Sequence, residues 1–124
     1  MKRPIGKHAD LVKQCLDLLR LYGALAWKTN VGASLVIGPD GKRRFTRYNA
    51  PGTPDIVGCL PDGRFIGVEC KVGKDRLSDH QECFARAIRV RGGLFIAARD
   101  STAAIEAELS YQGAKAQRGL NERD

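Results

Sequence analysis

Gly52-Thr53-Pro54-Asp55-Ile56-Val57-Gly58-Cys59-Leu60-Pro61-Asp62-Gly63-Arg64-Phe65-Ile66-Gly67-Val68-Glu69-Cys70-Lys71 is the stretch from which the rest of the chain is read. At its middle, Pro61 suits the first central position of a turn, Asp62 the second, and Gly63 a left-handed third. This is the chemistry of a three-residue hairpin loop closed by a bulge. If Leu60 pairs with Arg64, stepping outward from the turn brings Asp55 opposite Glu69. Residues opposed in an antiparallel pair share a face with Cβ atoms about 5 Å apart, so the two carboxylates converge. Lys71, two residues beyond Glu69, projects from the same face. Facing carboxylates repel and call for a counterion, which a divalent metal supplies. The bland alternative is an exposed hairpin with solvated charges. Ile56, Val57, Ile66 and Val68 argue against it, because they make both strands apolar on both faces, the pattern of buried strands.

The chain has 124 residues, the size of one domain with a modest core. Its net charge of +7 calls for a polyanionic partner, either nucleic acid or an acidic membrane surface. No apolar run approaches the roughly 20 residues that span a bilayer, and Met1 to Gly6 lacks the apolar core of a signal peptide, so a cytoplasmic protein is expected. Cys15, Cys59, Cys70 and Cys83 are spread singly, with no C-x-x-C pair and no Cys-and-His set at zinc-ligand spacing. That argues against a structural zinc site, and small buried thiols in a reducing compartment are the expectation.

Apolar residues at helical spacing from Leu11 to Tyr22 predict a first helix over 8–22, stopped by Gly23 and followed by a strand over 24–30. Gly38-Pro39-Asp40-Gly41-Lys42 repeats the turn chemistry of the later loop, so a second hairpin is expected from 31–37 and 43–49. Its return arm alternates Arg43, Arg44 and Arg47 with Phe45 and Tyr48. It reads either as a charged, solvated edge strand or as an arm that grips phosphates and rests aromatics on sugars or bases. Lys28, Asn30 and Lys74 complete the candidate nucleic-acid contacts. Ser78 with Gln81 forms a capping box at the start of a second helix, while Leu77, Gln81, Phe84 and Ile88 recur as an inward stripe. Gln81 is thus either a cap alone or a cap whose amide also reaches the carboxylates. A buried strand over 94–98 and a final helix capped by Ser101 close the pattern, before a polar tail.

Gly52-Thr53-Pro54-Asp55, Gly63 to Lys71, Leu77-Ser78-Asp79-His80-Gln81 and Gly92 to Arg99, in that order, resemble the VRR-NUC domain. This is a compact branch of the PD-(D/E)XK nuclease superfamily, often encoded by phages and bacteria. The resemblance implies an α/β, restriction-endonuclease-like core: a mixed central β-sheet flanked by helices, here with an extra basic β-hairpin. It implies one nuclease domain over residues 1–110 and a polar tail over 111–124. The activity implied is metal-dependent endonucleolytic hydrolysis of DNA, branched or duplex, with four-way junctions as substrates. The setting would be the host cytoplasm, the assembly a homodimer, and no membrane or small-molecule cofactor would take part. Other readings are a DNA-structure-binding module of this fold with little catalysis, or an RNA-directed nuclease. Carried over by residue, Asp55, Glu69, Lys71 and Gln81 are catalytic. Asp55, Glu69 and the backbone carbonyl of Cys70 hold Mg²⁺ or Mn²⁺. The family's glutamate near the start of the first helix is replaced by His8, with Asp10 the nearest acid. Either His8 contributes a nitrogen to the metal or its waters, or Asp10 reaches in, or the site works with one acid fewer.

Overall fold

The computed structural model describes residues 6–29, 33–47 and 50–111. Helix α1 (Lys7–Leu21) is followed by strand β1 (Leu25–Lys28), hairpin strands β2 (Ala33–Ile37) and β3 (Arg43–Arg47), and strands β4 (Ile56–Cys59) and β5 (Phe65–Lys71). Helix α2 (Asp79–Val90) and strand β6 (Leu94–Arg99) come next, and a last helix, α3, covers residues 103–111. The central sheet has the order β1-β4-β5-β6, antiparallel except for the parallel β5–β6 pair that α2 connects. A mixed sheet flanked by helices is the architecture expected.

The decisive hairpin has the predicted register. Ile56 pairs with Val68 and Cys59 with Phe65. The loop is closed by the Leu60 N–H donating to the Arg64 carbonyl at 2.8 Å, with Gly63 at φ 93° supplying the left-handed residue. The earlier turn is built the same way: the Gly38 N–H donates to the Lys42 carbonyl at 2.9 Å. Among the described residues β2 and β3 pair only with each other, forming the second hairpin as a separate two-stranded sheet.

Helix α1 buries Leu11, Val12, Cys15 and Leu19 against Ala26, Ile56, Ile66, Val68 and Cys70, and Ile105 and Leu109 of α3 join the same core. On the other face, Ala85 and Ile88 of α2 pack on Phe95 with Leu77 and Phe84 alongside. Gly67 permits this approach, since a Cβ there would lie 3.0 Å from Ile88 Cδ1 and 2.9 Å from Pro54 Cγ.

Three expectations need correction. The hairpin strands are not covered on both faces throughout, because α2 lies over β5 and β6 and leaves the far end bare. Val57 is half-buried, and Leu25 and Trp27 on neighbouring β1 are 71% and 51% exposed. The thiols are free, but only Cys15 and Cys70 are buried; Cys59 is half-buried and Cys83 exposed, on the outer side of α2. The last helix begins at Ala103, so Ser101 stands just outside it, its hydroxyl accepting the Ala103 N–H at 3.3 Å. Tyr111 is helical, and the rest of the expected tail lies outside the described residues.

Candidate functional site

The carboxylates meet at the end of the β4–β5 hairpin where the sheet passes between α1 and α2. Asp55 stands one residue before β4, in register with Glu69. Its Oδ2 accepts the Cys70 N–H at 2.9 Å, which holds the side chain against β5. Its backbone is held by Thr29, whose N–H donates to the Asp55 carbonyl at 2.8 Å and whose hydroxyl donates to the Pro54 carbonyl at 2.6 Å. The loop before it is locked on α2. Gly52, at φ 86°, lies so close to the first helical turn that a Cβ would come within 2.2 Å of the His80 carbonyl oxygen.

Glu69 is 4% exposed and Lys71 9%. The two Glu69 oxygens differ in environment. Oε1 accepts a hydrogen bond from Gln81 Nε2 at 3.2 Å, while Oε2 is buried with no hydrogen-bond partner among the described residues. Burial, and then the negative charge of Asp55, push the Glu69 carboxyl up to about 8, with Lys71 acting in the opposite direction. Gln81 does both things that its sequence position allows. Its Oε1 accepts the Ser78 N–H at 2.8 Å, the Ser78 hydroxyl accepts the Gln81 N–H, and the amide nitrogen is left to donate to Glu69. The acceptor role of Oε1 assigns the amide's orientation.

Of the two first-helix candidates, His8 is the one at the carboxylates. Its Nε2 lies 3.1 Å from the Cys70 carbonyl oxygen and 3.3 Å from Asp55 Oδ2. A carbonyl can only accept, so Nε2 carries the hydrogen in this ion-free arrangement; the other tautomer, with the hydrogen on Nδ1, leaves the Nε2 lone pair open to a cation. Asp10 instead lines a small cleft with Lys7, Gln14, Val72 and Asp100. Lys28, Arg43 and Lys74 are exposed; Asn30 lies outside the described residues, as do the side chains of Arg44 and Arg47. The connection carrying Lys74 is pinned from β6: Arg99 donates to the Gly73 and Asp75 carbonyls, and Asp100 accepts the Gly73 N–H at 2.8 Å.

Sequence reasoning missed Thr29, Gly52 and the Arg99–Asp100 pair as supports of this site. Thr29 was placed in a strand, but its partnership with Asp55 follows from the β1–β4 register, and nothing local in the sequence specifies that register. Gly52 carried a signal, since a glycine in a Pro-rich loop can mark a close backbone approach.

Among the described residues no group of three or more His, Cys, Asp and Glu side chains is arranged to hold a metal. What is present is a pair of facing carboxylates, an unpartnered buried oxygen on one of them, and a backbone carbonyl beside the other. This donor set is all oxygen, apart from His8 at its rim. A buried acceptor left unpaired and a carboxylate destabilised by its neighbour are both relieved by a hard divalent cation, so the residues fit one.

The fold is a mixed α/β domain, and the family it matches is one of nucleases. The VRR-NUC domain family matches residues 25–101, more than half of the sequence, and the chain belongs to that family, within the PD-(D/E)XK nuclease superfamily. A solved structure described as a VRR_NUC domain is similar over 84% of this chain and 97% of its own, with 21% identity and a TM-score of 0.55, which shows the shared fold. A search of curated proteins finds no match.

Proposed function

We propose that the protein is a metal-dependent DNA endonuclease selective for branched structures such as four-way junctions. Asp55, Glu69 and the Cys70 carbonyl would hold Mg²⁺ or Mn²⁺, which when bound supplies positive charge to polarise the scissile phosphodiester and acidify water. The observation that carries the reading is the buried Glu69 Oε2 without a hydrogen-bond partner among the described residues, on a carboxylate that feels the charges of both Asp55 and Lys71. The chain's own groups divide the remaining work. Lys71 adds positive charge where negative charge accumulates on the phosphate, and no hydrogen-bond partner among the described residues holds its ammonium back. Gln81 fixes Glu69 through Oε1, and the Cys70 N–H fixes Asp55 through Oδ2. Lys28, Arg43 and Lys74 supply exposed cations for the flanking backbone, and Asn30, Arg44 and Arg47 belong to the same proposed surface. One domain over residues 1–110, a homodimer that sets two sites on a twofold substrate, and a cytoplasmic place of action complete the proposal.

The test is cleavage of junction, flap, nicked and plain duplex DNA in Mg²⁺, Mn²⁺ or EDTA, with Lys71→Ala alongside. Cutting that favours the branched substrates, stops in EDTA and falls by about 100-fold or more in the variant is expected. Equal cleavage by wild type and variant, or none on any DNA, would sink the proposal. The second reading, a DNA-structure-binding module with little catalysis, is favoured by a histidine, His8, rather than a further carboxylate standing beside Asp55. Tight junction binding without turnover would select it. Competition between matched DNA and RNA at stated salt separates an RNA-directed enzyme from both.

A further inference from the structure

Building on the metal site just proposed, we infer that His8 is an additional ligand that makes the site discriminate between ions, favouring later first-row divalent cations such as Co²⁺ over Mg²⁺ and Ca²⁺. The argument begins with placement. His8 sits in the first turn of α1, three and four residues ahead of the buried Leu11 and Val12, so the face that packs the helix on the sheet also carries the imidazole. That packing brings Nε2 to 3.1 Å from the Cys70 carbonyl oxygen and 3.3 Å from Asp55 Oδ2. Adjacent donors around an ion with bonds of about 2.1 Å stand about 3 Å apart, so the nitrogen already has the spacing of a neighbouring ligand. Asp10 lines a separate cleft with Val72 and Asp100, and Glu69 keeps one buried oxygen without a partner among the described residues.

The chemical consequence follows from the donor type. Mg²⁺ and Ca²⁺ take oxygen ligands, and Mg²⁺ gives up its waters reluctantly. An imidazole nitrogen adds affinity for ions further along the first transition row, with Mn²⁺ the weakest of them. One nitrogen among carboxylate and carbonyl oxygens therefore shifts the ratio of affinities while leaving an oxygen site that still admits Mg²⁺.

Calorimetric titration of the metal-free protein with Mg²⁺ and with Co²⁺ tests this, using wild type, His8→Ala, His8→Gln and Asp55→Asn. Pulsed EPR of bound Mn²⁺ provides a readout independent of cleavage. Both His8 variants should lose about tenfold or more in Co²⁺ affinity and less than about threefold in Mg²⁺ affinity. Wild type should show ¹⁴N coupling to Mn²⁺ that is missing from His8→Ala. An unchanged Co²⁺ to Mg²⁺ ratio in the His8 variants, or ¹⁴N coupling that is absent from wild type or persists in His8→Ala, overturns the inference and leaves the carboxylate site standing. Undiminished Co²⁺ binding by Asp55→Asn overturns the site and the inference together.

Discussion

Gln81 Nε2 lies 3.2 Å from Glu69 Oε1, while the other end of the same amide accepts the Ser78 N–H that begins α2. A helix cap and a carboxylate contact are thus two ends of one side chain. Gln81→Glu retains the capping acceptor and removes the donor to Glu69, whereas Ser78→Ala removes the hydroxyl and leaves the amide. Ser78→Ala is expected to cost about 1 kcal/mol of stability with cleavage largely retained. Gln81→Glu is expected to reduce cleavage by about tenfold or more with the helix intact by circular dichroism. Equal cleavage losses in the two variants would reduce Gln81 to a cap.

The shifted carboxyl of Glu69 predicts how stability changes with pH. In the unfolded chain it ionises near 4.5, in the folded protein near about 8. Between those values the folded state binds more protons than the unfolded one, so the stability of the ion-free protein falls as pH rises and levels off above the upper value. Glu69→Gln removes this slope. Melting curves at pH 4 and pH 8.5 should show the variant close to wild type at the acid end and about 4 °C or more above it at the alkaline end. Adding a divalent ion at pH 8.5 should raise the wild-type midpoint and leave the variant's unchanged. A wild-type midpoint that climbs with pH relative to the variant would contradict the assignment.

Two glycines with similar backbone angles separate strain from crowding. Gly63, at φ 93°, has open space around a would-be Cβ, and Gly52, at φ 86°, has the His80 carbonyl oxygen 2.2 Å away. Gly63→Ala should cost about 1 kcal/mol in chemical denaturation, the penalty for a left-handed residue alone. Gly52→Ala should cost about 2 kcal/mol or more and lower cleavage as well, because relieving the clash moves the Asp55 loop away from the helix that carries Gln81. Equal costs would mean that the loop yields freely.

The parts of the site that were readable from the sequence are those set by short-range chemistry. Pro61-Asp62-Gly63 specifies a loop length, the loop length specifies a register, and the register places Asp55 across from Glu69. Ser78 and Gln81 likewise declare a capping box within four residues. The choice between His8 and Asp10 was not readable, since it depends on how α1 is rotated against the sheet, a matter of packing among Leu11, Val12, Cys15 and Cys70. Thr29 and the Arg99–Asp100 pair were hidden for a related reason: their partners are 24 or more residues away. The bare end of the sheet escaped notice because apolar residues such as Val57 read the same whether or not a helix lies over them.

The Thr29–Asp55 hydrogen bonds have a mechanical consequence. The chain leaves the sheet at Thr29 for the basic hairpin and comes back at Asp55, so the arm hangs from two roots. The Thr29 N–H and hydroxyl both reach the Asp55 carbonyl, at 2.8 and 3.1 Å, and tie those roots together. A tie at the base acts as a damper. A pull on either root is taken up by these two bonds before it reaches the Asp55 carboxylate, which the Cys70 N–H holds in turn.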